Sequence, residues 1–260
     1  MATSLRSELE ERRVHACRLS PDRALVSLAE AEAFVRERGV VTLTPSSSLP
    51  SLYGACHEEP YTPGSKGFGA YPRTKWPWGW ELRERPGIHW LRVLRGTGVF
   101  LTDAVAAFAD PLCREELARA EAGVHGAEPA RLVAHLGTAG PSLLDEVKEE
   151  LGLSAVALRK ARAPLERVGA IVAREVVLEH DGRHRHTSEL RRWDQVEPAP
   201  ESGPGGSAGA LLVSGVRAAV LAPEREARGW FSWPASRELV EELVDEGRLT
   251  RPEAGWLAAP

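Results

Sequence analysis

The chain has 260 residues, 43% hydrophobic and 27% charged, with a formal net charge of −4. That composition suits one large globular domain or two to three small ones. It also argues against a uniformly basic nucleic-acid binder. No apolar run approaches the ~20 residues of a membrane helix, and the opening "MATSLRSELEERRVHACRLS" is too charged for a signal peptide. Cys17, Cys56 and Cys113 lie far apart without a CxxC pair, so neither a disulfide framework nor a zinc finger is indicated. The expectation is a cytoplasmic, nucleoid-associated protein with reduced thiols.

Residues 1–26 lack sustained periodicity and read as an N-terminal tail or a loosely docked arm. Leu28 to Arg38 predicts a helix, with Ser27 as N-cap and Gly39 just past its end. Val40 to Thr44 is a short β-branched strand. The stretch "PSSSLPSLYGACHEEPYTPGSKGFGAYPRTKWPWG" reads as loop around one short helix near Leu49 to Ala55. Its aromatic residues favour an ordered, packed loop over a disordered one. "IHWLRVL" and "VFLT" then form a hairpin around "RGTG". Asp103 caps "AVAAFA", and a second helix follows through "REELARAEAG".

Three helices come next. "PARLVAHLG" ends at Gly137. Ser142 caps "LLDEVKEELG", whose Leu143, Leu144, Val147 and Leu151 share a face. Ser154 caps a helix with Ala155, Leu158, Ala161, Leu165 and Val168 inward, ended by Gly169. "AIVAREVVL" and "TSELRRW" are strands on either side of a turn, "EHDGRHRH". Three short helices followed by a two-stranded hairpin is the order of a winged helix-turn-helix. Residues 197–209, "EPAPESGPGGSAG", have the composition of a flexible linker. The last fifty residues repeat the theme, with helices in "ALLVSGVRAAVLA", "EREARGWF" and, after Ser236, "RELVEELVDEG", and a small wing in "RLTRPEAGWLA".

The fold class read from this order is α+β and helix-rich, with tandem winged helix-turn-helix modules and small β-hairpin wings. The expected divisions are a winged-helix-like module with a long aromatic loop at 27–122, a central winged helix at 123–196, and a C-terminal winged-helix-like module at 210–260.

Charge is unevenly distributed. From Lys66 to Arg95 there are seven Lys/Arg against two Glu, and from Leu151 to Gln195 nine against six acids. Two basic patches on an acidic body fit DNA binding, because the local field matters more than the total. On the helix after Ser154, Lys160 and Arg167 lie opposite the apolar face, with Arg159 and Arg162 on its flanks. That is where a major groove and its phosphates would be met; the alternative is a solvated face. Pro164 removes an N–H and costs roughly 3 kcal/mol in a regular helix, so this helix is expected to end near Ala163.

The turn carries Arg183 and Arg185 beside His180, His184 and His186. Phosphate or minor-groove contact, metal ligation by the histidines and a solvated tip are its three readings. No Cys or carboxylate stands at a recognised zinc spacing, so no metal is expected. In "WPWGW", Trp76, Trp78 and Trp80 would share one face of a strand, and Pro77 makes it an edge strand or an extended loop. The indoles either pack in the core or stack on unpaired bases, with Lys75, Arg83 and Arg85 beside them for phosphates. There is no GxSxG elbow and no phosphate-binding glycine motif, and no cofactor is expected.

Taken in order, "LTPSSSLPSLYGA", "WGWELRERP", "LRVLRGTGVFLT", the central winged helix and "VRAAVLAPEREARGWFSW" resemble the AlkZ-like DNA glycosylase family, and more closely its AlkZ-related branch of winged-helix proteins. The matching segments run from about Leu28 to Leu257. The resemblance implies a repair protein that binds duplex DNA and excises alkylated or crosslinked bases, with no membrane and no small-molecule cofactor. It also implies a Gln-x-Gln or Gln-x-Asp pair just after the first helix and a Trp-x-His stretch. Here those places read Thr42-Leu43-Thr44, or Thr44-Pro45-Ser46, and Trp78-Gly79-Trp80. Gln195 is the only glutamine, and it lies in another module.

Base excision passes through an oxocarbenium-like cation and needs a carboxylate or amide to stabilise charge and align water. The hydroxyls of Thr42, Thr44 and Ser46 are poor bases at neutral pH. Glu81 lies where a carboxylate would compensate, and Glu58 and Glu59 sit in the same loop; each is more often a surface or structural charge. DNA binding therefore transfers more readily than catalysis. The rival readings are a winged-helix transcriptional regulator, which lacks an obvious dimer helix here, an active glycosylase with a rearranged site, and a protein-binding scaffold.

Overall fold

A computed structural model describes residues 5–180, 183–196 and 208–260, with His180 and Arg183 described by backbone alone. The architecture is α+β, and its sheets are small and antiparallel. Helix α1 (Leu5–Ala16) is followed by a sequence of elements that recurs three times: helix, short strand, two helices, hairpin. The first pass is α2 (Leu28–Arg38), β1 (Val40–Thr42), α3 (Leu52–Ala55), α4 (Trp78–Glu81), β2 (Ile88–Leu94) and β3 (Thr97–Thr102). A long helix, α5 (Asp103–Glu121), leads to the second pass: α6 (Ala127–Ala139), β4 (Ser142–Leu143), α7 (Leu144–Glu150), α8 (Ala155–Arg167), β5 (Ile171–His180) and β6 (Arg183–Arg192). The third is α9 (Ala208–Ala219), β7 (Leu221–Pro223), α10 (Glu224–Ala227), α11 (Arg237–Asp245) and β8 (Trp256–Ala258), with an isolated bridge at Thr250 in place of the middle strand.

Sheet order repeats as well. The short first strand pairs with the last one each time, giving β1-β3-β2, β4-β6-β5 and β7-β8, with Thr250 bridging the far side of β8 at Ala258. One hydrophobic core draws on all three units: Val93 and Leu101 from the first, Leu132, Leu165 and Trp193 from the second, Leu211, Val216 and Trp230 from the third. Helix α5 runs through it, packed on α6, α8 and α9. Inside this core the Asp110 carboxylate is 1% exposed. It accepts from Trp193 Nε1 at 2.8 Å and Arg114 Nε at 3.0 Å, tying α5 to the end of the long hairpin. A second core cluster, with Phe34, Leu52, Leu82 and Phe100, lies between α2 and the first sheet.

Helix ends follow local chemistry. Ser27, Ser154 and Ser236 each accept a hydrogen bond from an N–H in the first turn of their helices, as N-caps do. Gly39 and Gly169 sit at φ 75° and 68° where α2 and α8 stop, a conformation glycine adopts without strain.

Several expectations are corrected. Residues 5–16 form α1, not a tail, and Leu9 packs with Val220, Leu221 and Ala258. Trp78–Glu81 is a helical turn rather than a strand or extended loop. Asp103 does not cap: Thr102 holds that position, and the Asp103 carboxylate lies 2.7 Å from His89 Nε2. The two helices expected after it are one, continuous through Pro111. Helix α6 passes Gly137, where a Cβ would lie 2.5 Å from Arg192 Nη1, and stops at Gly140. Ser142 belongs to β4, and the N-terminus of α7 is held by the Glu146 carboxylate accepting from Leu143 N at 2.8 Å. Helix α8 continues through Pro164 to Arg167; the orphaned carbonyl belongs to Lys160, an exposed residue whose C=O water can serve. Of the expected turn, His180 belongs to β5 and residues 183–186 to β6, while residues 181–182 lie outside the described residues. Residues 208–209 begin α9, and the rest of the expected linker, 197–207, is outside the described residues.

All three cysteines are free and buried. Burial raises the Cys17 thiol to about 11, the Cys56 thiol to about 12, and Cys113 well above its ordinary value. Thiolate is the reactive form. A disulfide exchange reagent at mildly alkaline pH should therefore leave the native protein unlabelled and modify all three once denaturant is added; labelling before unfolding would contradict this burial.

Candidate nucleic-acid interface

In the aromatic segment, Trp76 and Trp80, four residues apart, meet edge to face at 5.1 Å. Gly79 between them is obligatory, since a Cβ there would lie 2.5 Å from Tyr53 Oη and 2.7 Å from Leu43 Cδ1. The segment Trp78-Gly79-Trp80 is thus packed beside Thr42-Leu43-Thr44, the two places singled out in the sequence. Trp78 turns the other way, onto the second core cluster, with Lys75 Nζ 5.5 Å from its ring.

Helix α4, strand β2 and the β5–β6 hairpin enclose a cleft of about 890 Å³. Its walls include Trp76, Trp80, Trp90, Ile88, Val172 and Val177, with Glu81, Arg83 and Glu175 among its polar groups. Arg83 stacks on Trp90, its guanidinium carbon 4.1 Å from the ring centroid, and stands 3.8 Å from Glu175. Burial holds the Arg83 guanidinium below its ordinary value, opposed chiefly by the Glu175 charge. Trp80 Nε1 donates to Glu175, whose other oxygen is 3.3 Å from His186 Nδ1. Arg174 pairs with Glu84 across the same boundary. Glu175 and Trp90 were missed in the sequence, although Glu175 interrupts an otherwise apolar alternation, Ile171, Ala173 and Val177, along β5.

The other candidate residues divide clearly. Arg159, Lys160 and Arg167 are exposed on α8 and have no carboxylate partner among the described residues. Arg162 is turned inward, 3.3 Å from the buried Glu166. Lys75 is a structural post: its Nζ donates to the carbonyls of Leu25 at 2.8 Å and Cys56 at 3.2 Å. Arg85 is held by Glu32 at 3.3 Å. On β6, Arg185 pairs with Asp145, and His184 lies 3.5 Å from Glu179. Nothing is described of the Arg183 side chain.

Among the hydroxyl candidates, Thr42 is fully buried, with the carbonyls of Thr44 at 3.0 Å and Pro50 at 3.2 Å as its acceptors. It has no access to a substrate. Thr44 is half-buried, while Ser46 and Glu81 are exposed; of these Glu81 alone lines the cleft. Glu58 is structural, accepting from Thr74 and from Lys75 N, and Glu59 is exposed at the base of its loop. Among the described residues no group of three metal-ligating side chains forms, and no helix is long and apolar enough to cross a membrane.

No protein-family model matches the chain, and no curated protein sequence does. A solved structure does match: the Streptomyces sahachiroi DNA glycosylase AlkZ, at 16% sequence identity and a TM-score of 0.53, over 99% of this chain and 70% of that one. That superposition takes in nearly every residue of this chain, so its fold is similar to that of AlkZ.

Proposed function

We propose that the protein binds duplex DNA as a repair-glycosylase-like chain of three winged-helix units, the middle one presenting α8 to the major groove. The observation that carries this is the outward face of α8, where Arg159, Lys160 and Arg167 are exposed and unpaired among the described residues. Three cations without a carboxylate partner on one helix face form a local positive field. Phosphates would satisfy them, each contact releasing condensed counterions. The β5–β6 hairpin contributes less, since Arg185 is occupied by Asp145.

The test is anisotropy of intact, abasic and alkylated duplexes across a salt series. Binding should weaken steeply with salt, and the triple variant Arg159→Gln, Lys160→Gln, Arg167→Gln should flatten the slope of log K against log salt by about 2–3. An unchanged slope would remove α8 from the interface. Preference for damaged duplex favours a repair role; indifference to damage with preference for one sequence favours a regulator.

A second reading, base excision in the cleft, is favoured by Glu175 reaching over Trp80 where the resemblance implies a histidine. Abasic-site formation on the alkylated duplex in the same mixtures decides it.

A further inference from the structure

Residues 57–77 form a loop that is long for a compact fold, yet its backbone is tied throughout. Glu58 accepts from Thr74 N at 3.0 Å and Lys75 N at 3.1 Å, and its carboxylate also accepts from the Thr74 hydroxyl at 2.5 Å. Arg73 N donates to the Glu59 carbonyl at 2.9 Å, Tyr61 N to Tyr71 O at 2.7 Å, and Thr62 N to Gly69 O at 2.8 Å. An isolated bridge joins Pro60 to Pro72. The result is a stiff, irregular hairpin that holds its tip away from the body. Gly64 and Gly67 turn the chain there with positive φ, and nothing lies within 4 Å of where a Cβ would stand on either.

What this hairpin holds out is aromatic. Tyr61 is 54% exposed and Phe68 45%, with ring centroids 5.6 Å apart. Phe68 is backed edge-on by Trp76 at 5.2 Å, and Trp76 in turn by Trp80 at 5.1 Å. The outer rings therefore rest on a chain of aromatic contacts that leads to the cleft. Lys66 and Arg73, in the same hairpin, are exposed and have no carboxylate partner among the described residues. Solvent-facing rings on a fixed support beside free cations are what a single strand of nucleic acid requires. Each base offers a π-face of any sequence, and each linkage a phosphate. A duplex offers no such faces, because its bases are already stacked.

We infer that the 57–77 hairpin is a stacking platform for unpaired nucleobases, and that its partner is single-stranded DNA. Tyr61 and Phe68 each take a base, while Lys66 and Arg73 neutralise the flanking phosphates. This site is separate from α8 and stands or falls independently of duplex binding.

The experiment is anisotropy of labelled oligo-thymidine, with unlabelled intact duplex as competitor in a second series. The wild type should bind oligo-thymidine at low salt. Tyr61→Ala and Phe68→Ala should each weaken it about tenfold or more, while Tyr61→Phe keeps the affinity because stacking needs no hydroxyl. Tyr61 meets one other ring, Phe68, so Tyr61→Ala should unfold as wild type and keep its duplex affinity. Phe68→Ala gives up contacts with Tyr61, Tyr71, Trp76 and Trp80 and should unfold at a lower temperature, which makes Tyr61→Ala the variant that separates stacking from stability. Lys66→Gln with Arg73→Gln should reduce the salt slope by about 1.4. Failure of oligo-thymidine to bind, or alanine variants that bind it as tightly as wild type, would overturn the assignment. Loss of duplex binding by the α8 triple variant alone, with oligo-thymidine retained, would support two separate sites.

Discussion

Replacing Asp110 by alanine should lower the stability of the whole protein by about 2–3 kcal/mol. The carboxylate is 1% exposed and is the acceptor for the indole N–H of Trp193, a side chain itself 2% exposed. Removing it strands a buried donor, and it also frees Arg114, which is nearly half exposed and can return to water. For a chain of this size such a loss corresponds to a fall in Tm of about 5–10 °C, with no change in the denaturant dependence if the transition stays two-state. Asp110→Asn keeps an oxygen that can accept from the indole and should lose about 1 kcal/mol. Equal losses in the two variants would show that charge, not the hydrogen bond, is what matters at this position.

Gly98→Ala should be the more revealing change, because the residue lies in what reads as a turn. In "RGTG" the two glycines serve different ends. Gly96 has φ 85° and follows Arg95 at φ 53°, the left-handed pair of a tight hairpin turn. Alanine at Gly96 should cost about 1 kcal/mol through the backbone. Gly98 carries no such φ. Instead, a Cβ there would lie 1.9 Å from Trp90 Cζ2 and 2.2 Å from Cη2. The indole of Trp90 fills the space where that Cβ would stand, with Phe100 at 4.7 Å and the Arg83 guanidinium at 4.1 Å. Alanine must expel it, costing about 2–4 kcal/mol in lost packing and strain and dismantling one wall of the cleft. The expected signature is a lowered denaturation midpoint together with a changed near-ultraviolet circular dichroism spectrum. A midpoint no lower than that of Gly96→Ala would mean the indole has another place to go.

These two glycines also mark how far the sequence alone carries. Signals that act within four residues were readable: the serine caps of α2, α8 and α11, and the glycines that end α2 and α8, are local chemistry and stand where expected. The second and third repeats of the element order could be followed from such punctuation. What could not be read was set by contacts across the chain. Alternating tryptophans fit a strand, and the same spacing also puts Trp76 and Trp80 one helical turn apart; only the closeness of Leu43 and Tyr53 to Gly79 decides between them. Helix α1 has one buried residue, Leu9, so it lacks a stripe to betray it, and the surface it covers comes from the other end of the chain. The cleft is hidden for the same reason. Its walls are contributed by residues 68–91 and 172–196, and Glu175 acquires its role only when the hairpin folds back over Trp80.

The cationic candidates illustrate the same limit. Arg159, Lys160, Arg162 and Arg167 are alike in sequence, yet the buried Glu166 claims Arg162 and leaves the other three facing water. Lys75 reads as a phosphate ligand and is instead a post under two backbone carbonyls. Counting charges in a window measures potential; it does not say which charges are already spent inside the fold.

The shared core has a mechanical consequence. Three units that bury Leu101, Leu165 and Leu211 in one cluster are not modules on a string able to swivel to suit what they meet. Their outer surfaces hold fixed angles to one another, like the jaws of a mould. A long ligand spanning two of them must supply the bending itself, so its own stiffness becomes part of what is selected. In the duplex-binding role proposed above, DNA weakened by a lesion, a mismatch or a gap deforms more cheaply than intact duplex, and a rigid three-part template would favour it without touching the damaged base.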